Sequence, residues 1–166
     1  MKRHRLLACT IAATLGAATL LVAQESAPNH RGMIDAALDT LHDAAATGDF
    51  DRYFAQWHDE GVFLGTDAAE RWTIPAFKAF AEPYFADGEG WVYTTRSREV
   101  VIDPARGVAW FDEILDSRNY GTSRGSGTML LEDGRWRIAQ YHLTFPVPND
   151  IAGEVTDRIK AWEAEK

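Results

Sequence analysis

The stretch Gly134 to Asn149, GRWRIAQYHLTFPVPN, constrains the fold more than any other, because it joins a tight turn to an alternating strand and stops at two prolines. Asp133-Gly134 supplies the positive backbone angles that a short hairpin turn requires. From Trp136 the chain alternates. Trp136, Ile138, Gln140 and His142 fall on one face of a strand, and Arg137, Ala139, Tyr141 and Leu143 on the other. Arg137 is hard to bury, so the Trp136 face is expected to point inward. Gln140 and His142 would then stand inside, either as satisfied core groups or as the polar end of a pocket. Pro146 and Pro148 remove backbone donors and end the strand.

Residues 1–23 read as a signal peptide. Lys2, Arg3 and Arg5 precede an apolar run from Leu6 to Val22, and Leu21-Val22-Ala23 offers a cleavage site. Loss of this segment removes three basic residues and no acidic ones, taking the formal net charge from -8 to -11. Such an acidic, exported chain, periplasmic or secreted, is a poor partner for nucleic acid, and its contact with membrane is expected only through the signal peptide. Cys9, the single cysteine, leaves with that segment, so the mature chain has no disulfide, thiolate ligand or cysteine nucleophile. Residues 24–32, polar with Pro28, read as a linker, and 33–166 as one domain of a size that supports one core.

Along that domain, Ile34, Ala37, Leu38, Leu41 and Ala45 mark an amphipathic helix ending at Gly48. Asp49 caps a second helix, on which Phe50, Tyr53, Phe54 and Trp57 recur at helical spacing. A short strand follows between Gly61 and Gly65, then a loop to Thr73 with room for another short strand. Thr73 and Pro75 open a third helix carrying Phe77, Phe80, Ala81 and Tyr84 on one side, with Pro83 disturbing its end. Trp91 to Ile102, Val108 to Asp116, Arg124 to Leu131 and the strand after Gly134 form an antiparallel meander. In the first of these, Arg96, Arg98 and Glu99 indicate partial exposure. Gly125 and Gly127 alternate within the third, a sign of bending or close approach in a curved sheet. A last helix, capped near Asn149 or Asp150, aligns Ile151, Val155, Ile159 and Trp162. Helices gathered before a meander give an α+β fold with the helices on one face of the sheet.

Five segments, GDFDRYFAQW, FLGTDAAERWT, AWFDE, RGSGTMLL and WRIAQYHLTFPVPN, together resemble the SnoaL-like branch of the nuclear transport factor 2-like superfamily, over roughly Met33 to Trp162. The resemblance implies a cone-shaped pocket between the helices and a concave sheet, and frequent dimerisation through the outer face. It does not fix a function, since this superfamily includes cyclases, isomerases, dehydratases, transport factors and oligomerisation modules.

Two polar groups are the candidates for chemistry. If the Trp110 face points inward, Asp112 stands in an aromatic environment, where desolvation favours general acid or base work and His142 could relay the proton. If the parity is reversed, Glu113 is the inward carboxylate. Arg124 shares a face with Ser126 and could pair with Asp112. Tyr53, Trp57, Trp72 and Trp91 could form an aromatic wall for a flat or apolar ligand, completed by Phe80, Trp110, Arg124 and Gln140. His58, Asp59 and Glu60 converge poorly, so no metal site is expected, and no cofactor. Three readings follow: a homodimeric domain binding a small apolar or aromatic molecule; a cofactor-independent isomerase, dehydratase or cyclase using Asp112 and His142; or an oligomerisation module whose outer face presents Arg137 and Tyr141.

Overall fold

The computed structural model describes residues 28–88 and 90–166; the expected signal peptide and the first four residues of the expected linker lie outside them. The domain begins slightly earlier than expected. The Asn29 side chain accepts from the Gly32 amide at 3.0 Å and caps α1, His30–Ala46, so the last three residues of the expected linker are helical. Ile34, Leu38, Leu41, Ala44 and Ala45 bury one face of α1, and Gly48, at φ 67°, turns the chain away.

Helix α2, Phe50–Phe54, is shorter than the aromatic spacing implies, and Trp57 opens a strand. Tyr53, Phe54 and Trp57 are all buried, yet the chain changes period from helix to strand between the second and third of them. Strand β1, Trp57–Leu64, is followed by β2, Arg71–Thr73, and α3, Ile74–Ala86. In α3 the buried side is Ile74, Phe77, Ala81 and Phe85. Tyr84 is half exposed, and the helix continues past Pro83. Strands β3, Tyr93–Asp103, β4, Val108–Ser117, β5, Gly121–Glu132, and β6, Arg135–Thr144, form the meander. Asp133 at φ 47° and Gly134 at φ 75° make the expected β5–β6 turn. The sheet order is β2-β1-β6-β5-β4-β3, with β1 parallel to β6 and every other pair antiparallel. Helices α1 to α3 cover its concave face. A 3-10 turn, Asn149–Ile151, leads to α4, Ala152–Ala164, which buries no residue. Among the described residues no helix is long and apolar enough to cross a membrane.

Two one-residue bulges set which side chains reach the concave face. In β6, Ile138 pairs with Met129 and Gln140 with Thr128, so Ala139 has no partner opposite it. Past that extra residue the alternation inverts, turning Tyr141 and Leu143 inward and Gln140 and His142 outward. In β3, Thr95 pairs with Leu115 and Ser97 with Ile114, skipping Arg96. This inversion brings Arg98 to the inner face, so the strand is not simply exposed at its basic residues. Strand β4 carries no bulge, and its inner residues are Ala109, Phe111, Glu113 and Leu115. The parity expected from Trp110 is therefore reversed.

Candidate active site

Glu113 is fully buried on β4, and three side chains satisfy its carboxylate. Arg98, across the sheet on β3, donates from Nε to Oε2 at 2.9 Å. The Tyr141 hydroxyl donates to Oε1 at 2.7 Å, and the His42 imidazole lies 2.7 Å from the same oxygen through Nε2. Arg98, only 7% exposed, also reaches Asp39 at 2.9 Å and Asp35 at 3.3 Å, both on α1. A buried carboxylate without partners would neutralise or unfold the site; here every partner is present. Burial pushes the Glu113 carboxyl up, but the hydrogen bond and charge of His42, the charge of Arg98 and the Tyr141 hydroxyl outweigh it. Glu113 is held below the usual carboxylate range and stays ionised. Burial and the neighbouring Glu113 raise the Tyr141 phenol well above its ordinary range, so it remains a neutral donor.

Glycines make room for this cluster. A Cβ at Gly125 would lie 2.0 Å from the Tyr141 hydroxyl and 3.1 Å from Glu113 Cγ, and one at Gly127 would meet the Phe111 ring at 2.8 Å. The alternating glycines thus leave the inner face of β5 open, and side chains from β4 and β6 fill it.

His42 and Tyr141 form the polar part of a cavity of about 210 Å³. Aromatic side chains supply most of the rest. Phe63 and Phe77 stack at 4.3 Å and 4°, Phe77 and Trp91 at 5.7 Å and 17°, and Phe80 and Tyr53 complete the inner wall. Tyr93, Tyr120 and Phe145 lie toward solvent. Tyr120 and Phe145 stack at 4.6 Å at the rim, beside Gly65, Thr66 and Glu70 of the β1–β2 loop. The cavity is smaller than the roughly 300–1,000 Å³ of sites for drug-sized ligands, which suits a molecule of one or two rings. Nε2 of His42 is committed to Glu113, so Nδ1 is the nitrogen left for a ligand, and it makes no hydrogen bond among the described residues.

The sequence matches the family described as SnoaL-like domain over residues 34–148. The chain belongs to the SnoaL-like family. Solved structures agree at the level of fold. A nuclear transport factor 2-like protein of unknown function from Pseudomonas putida KT2440 superposes with TM-score 0.59 at 16% identity, covering 72% of this chain and 88% of that one. A nuclear transport factor 2-like protein from Cytophaga hutchinsonii gives TM-score 0.58 at 16% identity, covering 72% of this chain and 100% of that one. An uncharacterised protein with a cystatin-like fold from Caulobacter vibrioides gives 0.55 at 20% identity, covering 75% and 94%. No curated protein matches the sequence.

Within this SnoaL-like domain the expected site residues divide by face. Tyr53, Phe80 and Trp91 line the cavity. Trp57 is core, packed between Tyr53, Phe77 and Tyr141, and its buried indole N–H has no partner among the described residues. Trp72 stacks on Phe80 from outside the lining. The remaining expectations are corrected by parity. Trp110 is 50% exposed, and Asp112, Arg124 and Gln140 are exposed with it on the outer face. Asp112 pairs with Ser126, and Ser126 with His142, so Asp112 and His142 sit two strands apart and outside the cavity. Conversely, Tyr141, expected on the outer face, is buried inside. His58 hydrogen-bonds Glu132 at 3.1 Å from β1, and no group of three or more metal-ligating side chains exists among the described residues.

The sequence does not mark His42, Arg98 and Tyr141 as a cluster, and it points to Glu113 only as the reversed-parity alternative. The glycine pair was the available signal. Two alternate glycines on one strand mean that neighbouring strands send large side chains across that face, which points to Phe111 and Tyr141 as the inward residues.

Proposed function

We propose that this SnoaL-like domain binds a small, flat molecule of one or two rings in the cavity and moves a proton on it with His42, without a cofactor. The observation that carries the reading is the hydrogen bond between the pocket-lining His42 and the buried, ionised Glu113. With Nε2 oriented by Glu113, Nδ1 takes a proton from a substrate carbon. The electron pair left behind moves into an adjacent carbonyl, and the imidazolium, stabilised by the carboxylate, returns the proton elsewhere on the substrate. Isomerisation, dehydration and cyclisation all use this step. It replaces Asp112 and His142 as the acid–base pair.

Exchange of α-protons tests the reading directly. With 1-indanone and 2-tetralone in deuterated buffer, the protein accelerates deuterium uptake followed by NMR, and His42→Gln lowers the acceleration by about 100-fold or more. Ketone binding without exchange in the unsubstituted protein would reduce the site to a ligand-binding pocket.

Two further expectations belong to the same proposal. The basic and then apolar N-terminal segment supports export, which cell fractionation and the mass of the mature chain would check. The outer face supports a homodimer, because Trp110 and Val101, directly paired on β4 and β3, are each 50% exposed. A monomer by light scattering at millimolar concentration would contradict it.

A further inference from the structure

The proposed reaction leaves the ligand's charge open, and the cavity lining bears on it. Nine of the fifteen lining residues are aromatic, the one carboxylate among them is Glu70, and no lysine or arginine lines the cavity. The guanidinium nearest the cavity's polar end, Arg98, is consumed by Glu113, Asp39 and Asp35, and is buried behind the lining. A carboxylate, phosphate or thioester-linked nucleotide would meet ring faces and a like charge, with no cation to receive it. Ring faces carry negative potential and attract a cation placed within about 6 Å of their centroids, most strongly for tryptophan. Trp91 and Phe80 supply such faces, Tyr120 and Phe145 extend them to the rim, and Glu70 adds a full negative charge at that end.

Glu70 is placed by its loop. Its Oε2 accepts from the Asp67 amide at 3.2 Å, and its backbone carbonyl accepts from the Gly65 amide at 2.9 Å. A Cβ at Gly65 would lie 2.1 Å from Oε2, so the glycine is what lets this carboxylate lie against the loop where both residues line the cavity. One carboxylate oxygen serves the loop, and Oε1 has no hydrogen-bond partner among the described residues.

We infer that the site selects a cationic ligand, an aromatic or apolar body bearing an amine or quaternary ammonium group, with the ammonium held at the rim between Glu70 and the aromatic faces. This rests on the proposed pocket and deepens it. The ring enters between the stacked walls toward His42, and the positive group remains at the mouth. The acidic chain as a whole favours the same sign of ligand.

Benzyltrimethylammonium, N-benzylacetamide and phenylacetate, titrated at low ionic strength with histidine and tryptophan side-chain NMR signals as readout, test the inference. The cation binds about tenfold more tightly than the neutral amide, the scale of an ammonium over aromatic faces, and phenylacetate binds most weakly. Glu70→Gln removes at least half of that preference in logarithmic terms, weakening the cation more than the amide. Trp91→Leu weakens the cation more than the amide. Equal affinity for cation and amide, or an unchanged preference in Glu70→Gln, overturns the cationic assignment while ketone exchange through His42 stands. If none of the three shifts a cavity residue and the ketones do not exchange, both readings fall.

Discussion

The two faces of the sheet are built from the same strands and residue types, yet only one lines the aromatic cavity. On the concave face Glu113, Arg98, Tyr141 and His42 satisfy one another under the helices, next to an aromatic cavity. On the outer face Asp112, Ser126 and His142 stand across three strands in a row that looks equally suited to acid–base chemistry on paper. What separates them is environment. The inner carboxylate has lost water and gained three fixed partners, whereas Asp112 keeps its hydration. An acid or base is tuned by what surrounds it, and the same residues in solvent are ordinary surface groups.

Substitutions at the centre of the inner cluster should break this contrast most strongly. Glu113→Ala leaves Arg98 buried beside an empty space, so about 3–5 kcal/mol of stability should be lost in urea denaturation, as is usual when one member of a buried pair is removed. Retention of full stability would mean that the cluster is hydrated in solution. Next in size is Gly125→Ala. Its methyl group would occupy the position of the Tyr141 hydroxyl, and a cost of about 1–3 kcal/mol is expected, together with a weaker ketone exchange. An unaffected variant would show that Tyr141 can swing away freely.

The pH dependence sharpens the comparison. Glu113 is depressed in the fold, so its stabilisation is present above the unfolded carboxylate range near about 4.3 and is lost as pH falls through the folded value. Tyr93, raised to about 12 by burial and the coulombic influence of Tyr120, acts with the opposite sign. Tyr141 does the same. Their neutral forms stabilise the fold below the unfolded phenol value near about 10, and that contribution falls as pH rises beyond it. Chemical denaturation from pH 3 to 11 should show both declines, the acidic one reduced in Glu113→Gln. The smallest effects belong to the outer face. Asp112→Asn and His142→Ala should each change stability by no more than about 0.5 kcal/mol and leave exchange intact.

Much of the architecture was legible in the chain. Apolar spacing gave α1, the Asp133-Gly134 turn fixed the last hairpin, and β-rich runs between turn residues gave the meander. Facing was harder. A period of two carries facing along a strand only while no residue is added, and the bulges at Ala139 and Arg96 leave no mark in composition. In β4 apolar residues occupy both faces, and Trp110, the largest, is on the outside, so hydrophobicity favoured the wrong parity. Hydrophobicity alone left Glu113 unassigned, and its partners come from residues as distant as His42 and Tyr141. The glycines at 125 and 127 held the missing information, since they identify the face across which other strands' side chains lie.

The most direct test of the account is histidine imidazole NMR during titration with benzyltrimethylammonium, assigned through His42→Gln and His142→Gln. The account predicts that the His42 resonances shift in step with binding while those of His142 stay in place. Movement of His142 with a silent His42 would put the ligand on the outer face and contradict the site described here.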